Sequence, residues 1–209
     1  MSSFFARNRR QLAARGIAPE RLPPGQYSTE RFPVLHVGDV PDYGDLSDWT
    51  LTISGAVARP IQLNWVDVRA LPDADLVVDI HCVTKWSKFD TRWRGIPLDA
   101  VLDLAGIDPA ATHLVEHAEG GYTTNVPLAR VRGSDEHGRP HAFLAHTFDG
   151  RPLEPDHGYP LRLVVPALYF WKSAKWLRRL ELTVGDRPGF WERNGYHNDA
   201  DPWLEQRHS

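Results

Sequence analysis

The chain has 209 residues, 42% of them hydrophobic and 24% charged, with a formal net charge of -3. This balance excludes a disordered or collagen-like chain, and the charge gives no bulk attraction to nucleic acid or an anionic membrane. The single cysteine excludes an internal disulfide and any Cys-rich zinc or iron–sulfur site.

Phe4 to Arg15 reads as a short basic helix, and Pro19, Pro23, Pro24 and Gly25 end it. Arg9-Arg10 has the look of a twin-arginine export signal, but no apolar segment follows it. No run approaches the about 18 apolar residues of a membrane span. A cytoplasmic location and no membrane span are therefore expected. Residues 26–45, with Phe32-Pro33-Val34-Leu35 between turn formers, read as extended chain over a surface.

Trp49 to Gly55 alternates apolar and polar residues, which predicts a strand ending in a turn. Asn64 is an N-cap candidate for a helix over Trp65 to Leu71. Leu76 to Cys82 is a near-continuous apolar run, a buried strand with Cys82 at its end. Pro97 to Ala105 predicts a short helix stopped by Gly106, and His113 to Ala118 a strand turned by Gly120-Gly121. A further segment, Val126 to Val131, opens after a turn. His141 to Phe148, Pro160 to Pro166 and Leu180 to Val184 read as strands, the first closed by the turn dipeptide Asp149-Gly150. Beyond Gly185 the chain is aromatic, charged and irregular. The fold class is α+β, with mixed β-sheets and short helices. No repeat or second boundary is visible. The sequence therefore reads as one unit over 1–209, with an N-terminal helix and linker over 1–25 and a C-terminal arm over 186–209.

The chemistry centres on Cys82. A lone cysteine is commonly a small buried hydrophobe. This one closes a buried strand and precedes the cations Lys85, Lys88, Arg92 and Arg94. Positive charge favours the thiolate, so its pKa is expected below that of a free thiol. A thiolate serves either as a nucleophile, with His81 or His117 as its base, or as a soft metal ligand. A metal held by one protein sulfur needs its other ligands from a cofactor. Molybdenum in a pterin dithiolene fits, because that cofactor brings two sulfurs and a phosphate of its own. The protein must then provide cations, backbone amides and aromatic walls.

Two segments offer these groups. Arg162 interrupts the apolar run after His157-Gly158-Tyr159-Pro160, where a cation is paired or holds an anion. Lys172, Ser173 and Lys175 stand between Trp171 and Trp176, in a loop that reads either as a solvated turn or as a phosphate cradle. Tyr122, Thr123 and Asn125 form a turn or line a pocket. Tyr196, His197 and Asn198 belong to a strap packed on the body or reach toward that pocket.

Together, Cys82-Val83-Thr84-Lys85-Trp86, the pair His157 and Arg162, and Trp171 to Trp176 resemble the molybdopterin-binding domain of the sulfite oxidase family. The likeness spans roughly Phe32 to Val184. Cys-Val-x-x-Trp is nearer the bacterial branch of the protein-methionine-sulfoxide reductase catalytic subunit. The resemblance implies a sulfite-oxidase-type fold and a molybdenum-molybdopterin cofactor. It implies Cys82 as the catalytic molybdenum ligand, and His117, His157, Arg162, Ser173, Ala174 and Lys175 as cofactor-binding residues. Ser173 to Lys175 would wrap the cofactor through backbone contacts, and Arg31 to Leu35 would touch the pterin.

The implied activity moves an oxygen atom to or from a small sulfur- or nitrogen-centred substrate. Lys85, Lys88 and Arg92 would make the mouth cationic, and an external electron carrier would be the partner. In animal and plant sulfite oxidases an arginine follows the cysteine, and in the reductase branch an acidic residue stands two after it. Here Val83, Thr84, Lys85 and Trp86 fill those places. A metal-free thiol enzyme and a non-catalytic molybdopterin-binding protein are the alternatives.

Overall fold

Two mixed sheets form the frame of the computed structural model, which describes Asn8, Arg10 and residues 12–209. The described strands are β1 (Tyr27–Ser28), β2 (Thr50–Gly55), β3 (Ile61–Asn64), β4 (Ala74–His81), β5 (Trp86–Pro97), β6 (His113–Ala118), β7 (Thr123–Pro127), β8 (Phe143–Phe148), β9 (Arg151–Pro152), β10 (Arg162–Val164) and β11 (Leu177–Thr183). The described α-helices are α1 (Trp65–Arg69), α2 (Leu98–Ala105), α3 (Leu128–Val131) and α4 (Phe190–Arg193). Of the helix expected over Phe4–Arg15, Asn8, Arg10 and residues 12–14 are helical and Arg15 is in a turn, and the other positions lie outside the described residues.

One sheet runs β1-β5-β8-β10, with β4 on β5 and β9 on β8. The other runs β3-β2-β11-β6-β7. Only β1 with β5 and β11 with β2 pair in parallel among the described ladders. The main core takes Ile96, Leu144 and Leu163 from the first sheet, Leu51, Leu114 and Leu180 from the second, and Val101 and Leu102 from α2. Burying each such side chain contributes about 1.5–3 kcal/mol. The α+β class with mixed sheets and short helices is as the sequence predicts.

Local signals explain most elements. β2 buries Leu51 and Ile53 alternately, as its pattern requires. Asn64 caps α1 through a reciprocal box: its side chain accepts from the Asp67 N–H while the Asp67 side chain accepts from the Asn64 N–H. Asp149 and Gly150, at φ of 47° and 76°, turn β8 into β9 as a two-residue hairpin.

β5 is a correction. Its 12 residues read in sequence as a polar, cationic segment, yet it is the longest described strand. Phe89, Thr91, Trp93 and Gly95 point inward while Asp90, Arg92 and Arg94 are exposed. The charged residues occupy every second position and so hide a period of two.

Candidate cofactor site

Cys82 stands in the tight turn between β4 and β5. Its N–H donates to Trp86 O at 2.9 Å, and its carbonyl accepts from Lys85 N–H at 3.0 Å. Lys85 takes a φ of 75° to close the turn and points to solvent. The thiol is buried at the edge of a core cluster that includes Ile80 and Trp86, and it accepts a hydrogen bond from Thr84 Oγ1 at 3.2 Å. Burial raises its pKa above the ordinary thiol value, with the Thr84 hydroxyl opposing. The expectation of a lowered pKa is thus corrected. The cations after Cys82 face away: Lys88 Nζ donates to Glu30 O, Arg94 pairs with Asp73, and Arg92 is exposed.

The thiol opens on a cavity of about 370 Å³, within the range of small-molecule sites. One wall is cationic. Arg162 is fully buried, and all its hydrogen bonds run to carbonyls: His157 O at 2.9 Å, Ser173 O at 3.0 Å and Leu163 O at 3.4 Å. Its guanidinium lies 4.3 Å from the Phe170 ring centroid. Lys175 Nζ donates to Asp156 O at 2.6 Å. His157 stacks on Phe32 with centroids 4.0 Å apart. Neither Arg162 nor Lys175 has a carboxylate partner among the described ion pairs. Burial pushes Arg162 down to about 9, Lys175 to about 7 and His157 to about 4. Burial thus disfavours the charged form of all three, a cost that a bound anion would offset for Arg162 and Lys175.

The other wall is aromatic. Val83 packs on a cluster of Tyr169, Trp171 and Ala200, which Trp191 and Tyr196 join from the C-terminal arm. Tyr122 lines the cavity too, and its hydroxyl donates to Trp171 O at 2.5 Å.

The structure therefore brings Cys82, His157, Arg162, Ser173 and Lys175 to one cavity. Ala174 and His117 do not line it. Ala174 is buried behind the wall, where its N–H donates to Glu116 Oε2 at 2.7 Å. His117 sits on β6, with Nε2 at 2.8 Å from Glu181 Oε2 and Arg179 beside it. The amides expected to wrap a cofactor are partly spent inside the protein, because Ser173 N–H donates to Phe170 O.

Lys172 corrects the reading of a phosphate cradle. It is fully buried against Glu192 and away from the cavity lining. The cationic mouth is corrected as well, since Lys85, Lys88 and Arg92 do not line the cavity. Of the segment 31–35, Phe32, Pro33 and Leu35 line it. Trp191 and Tyr196 reach it, whereas Asn198 is held by Asn125 and Asp186. Trp171, from the Trp171–Trp176 segment, and Tyr122, from the cluster read as a turn or a pocket lining, both line the cavity, as does Trp191, which carries no motif of its own and belongs to the aromatic arm.

Among the described residues, no three His, Cys, Asp or Glu side chains cluster as a metal site. No described helix is long and apolar enough to cross a membrane. The bases named for a thiol nucleophile are turned elsewhere: His81 Nδ1 pairs with Ser87 Oγ at 2.8 Å, and His117 with Glu181.

Residues 37–191 match the family described as oxidoreductase molybdopterin binding domain. The chain is similar to an uncharacterized oxidoreductase, YuiH, of Bacillus subtilis, at 48% identity over 90% of this chain and 91% of that one. It is also similar to the protein-methionine-sulfoxide reductase catalytic subunit MsrP of Gluconobacter oxydans, at 32% identity over 75% of this chain and 55% of that one. In three dimensions it resembles the sulfane dehydrogenase SoxCD of Paracoccus pantotrophus, with a TM-score of 0.59 and 20% identity, over 78% of this chain and 42% of that one. The chain thus spans nearly all of YuiH and about half of the other two.

Proposed function

The chain belongs to the oxidoreductase molybdopterin-binding family, and from that premise we propose that it is a molybdenum enzyme moving an oxygen atom to or from a small sulfur- or nitrogen-centred substrate. Membership agrees with the resemblance to the sulfite oxidases and to the methionine-sulfoxide reductase branch.

One observation carries the finer reading. A lone thiol, Cys82, the buried Arg162 and the half-buried Lys175 line the same cavity. Burying a cation without an anion is costly, and a phosphate offsets that cost. The donor set fits a molybdenum-molybdopterin cofactor: one soft sulfur, two unpaired cations and aromatic walls. When bound, such a cofactor supplies the two-electron redox change and the oxygen transfer. Cys82 would give the one protein sulfur. Arg162 and Lys175 would hold the phosphate, and His157, fixed by its stack on Phe32, would offer a ring nitrogen to the pterin. Ser173, in the lining, would hold Arg162 through its carbonyl, and Ala174 would support this wall from behind through Glu116. His117, outside the lining, has no direct part in this reading.

Beside Cys82 the cavity presents Val83, Trp171, Trp191 and Tyr196. Their aromatic faces suit a neutral S-oxide or N-oxide better than an oxyanion. An external electron carrier would complete the cycle.

The test is metal analysis of protein made in a molybdenum-replete host, beside Cys82→Ser. About one molybdenum per chain, with a thiolate-to-metal absorption lost in the variant, supports the reading. No molybdenum and no extractable pterin would overturn it.

A further inference from the structure

The turn that carries Cys82 is gripped from both ends of the chain. From the N-terminal side, Gln26 is fully buried and its Nε2 donates to Cys82 O at 3.0 Å. Tyr27 N–H next to it donates to Lys85 O at 2.8 Å. From the C-terminal side, Arg207 Nη1 donates to Val83 O at 2.9 Å, and Nη2 to Pro24 O at 3.2 Å. Its guanidinium also lies 4.8 Å from the Tyr169 ring centroid. Pro24 and Gln26 precede residues 37–191, the stretch matched by the family, and Arg207 follows it. Two outlying segments, 183 residues apart in sequence, thus meet on the turn that holds the cysteine.

Arg207 is built for geometry more than for charge. Its side chain is 11% exposed, and Glu205 lies only at 3.8 Å. Its short contacts are to peptide carbonyls. A planar guanidinium with two donors on two carbonyls fixes their relative position, which a flexible ammonium does not. The turn it holds is short, and one of its residues, Lys85, carries a positive φ. A residue in that region persists only where its surroundings hold it.

We propose that Arg207 is a positioning residue that, together with Gln26, clamps the Cys82 turn and sets where the Cys82 sulfur stands in the cavity. The inference rests on Cys82 as the metal ligand. Arg207 acts through the turn and touches neither substrate nor cofactor.

The experiment compares Arg207→Gln, Arg207→Lys and Gln26→Leu with the wild type. In molybdenum-loaded protein it records the sulfur-to-metal charge-transfer absorption and the electron paramagnetic resonance of the one-electron-reduced centre. In cofactor-free protein it records the iodoacetamide alkylation rate of Cys82, the one cysteine of the chain. The clamp predicts that R207Q shifts the absorption and the resonance, changes the alkylation rate several-fold, and retains metal. R207K keeps the charge but loses the fork, so it should fail to restore any of these signals. Q26L should move them in the same way.

Wild-type spectra and alkylation in R207Q, with only a lower Tm, would reduce Arg207 to a structural tie and overturn the proposal. Full restoration by R207K would overturn it too, by assigning the effect to charge. If the wild type itself bound no molybdenum, the metal-ligand reading would fail on its own evidence, and the alkylation rates would still decide whether Arg207 positions the sulfur.

Discussion

Lys172 Nζ lies 2.6 Å from Glu192 Oε1, with the two side chains 0% and 2% exposed. Lys172 leads into the Ser173–Lys175 loop, and Glu192 belongs to the C-terminal arm, so the pair ties one wall of the cavity to the other. Lys172 also donates to Asn125 O at 2.7 Å, and Glu192 Oε1 accepts from Trp171 Nε1 at 2.8 Å.

Breaking this pair should loosen the arm. Removing one partner of a buried pair costs about 3–5 kcal/mol, because the other charge is left behind. Lys172→Met strands Glu192, so we expect Tm to fall on the order of 10 °C for a chain of this size and trypsin to cut faster after Arg193, in the arm. Glu192→Gln should cost less, because Lys172 keeps its Asn125 contacts. Calorimetry and timed proteolysis check both. A K172M protein as stable as wild type would contradict the assignment.

Glu116 gives a pH dependence. Its Oε2 accepts from Ala174 N–H, while Oε1 is buried without a hydrogen-bond partner among the described residues. Burial pushes its pKa well above the carboxylate range, with the Ala174 bond and the Lys172 and Arg162 charges opposing. The folded state therefore binds this proton more tightly than the unfolded state. That contribution is complete below the unfolded pKa and is lost as pH rises through the folded one. Glu116→Gln mimics the protonated form and cannot ionise. The Tm of E116Q relative to wild type should rise as pH increases above the ordinary carboxylate range. A constant difference would show that Glu116 titrates alike in both states.

The sequence made the scaffold of the site legible where local rules decide it. Cys82 follows an apolar run that becomes β4, and Arg162 stands in an apolar stretch where only burial or an anion explains a cation. Composition-level charge misled where the third dimension decides. Lys85, Lys88 and Arg92 are close to Cys82 in sequence but lie outside its cavity, because Lys85 points to solvent from the turn and β5 alternates, so that its cations take the solvent side. Lys172 and Lys175 are three residues apart, yet one is sealed against Glu192 and the other lines the cavity. That division depends on an arm twenty residues downstream of Lys172. No local pattern encodes it.

The cationic wall should bind a bare anion without the rest of any cofactor. Arg162 is buried and Lys175 half-buried, both with lowered pKa values, so an anion between them restores the charge balance. Inorganic phosphate should raise the Tm of cofactor-free protein, by about 2.7 kcal/mol of stability at 100 times its Kd. Chloride at matched ionic strength should not. Lys175→Ala should weaken the effect, and Arg162→Gln should abolish it while costing stability through the carbonyls it leaves unpaired. Differential scanning calorimetry decides the matter, and an equal response of K175A and R162Q to wild type would remove this wall as an anion site.

Gly158 packs against that wall and carries the last prediction. Its φ is 111°, and a Cβ there would meet Arg162 Cβ and Lys175 Cβ, each at 3.1 Å. Any side chain at this position must take a backbone conformation that L-residues avoid, at about 1–3 kcal/mol. It must also push the two cationic side chains apart at their roots. Gly158→Ala should therefore lower Tm by the strain and weaken phosphate binding by the displacement. Gly150 separates the two effects. It also has a positive φ, 76°, but a Cβ there would meet nothing within 4 Å. Gly150→Ala should cost stability by strain alone and leave the phosphate response at the wild-type level. If both variants bound phosphate equally well, the close approach at Gly158 would be a folding requirement with no part in anion binding.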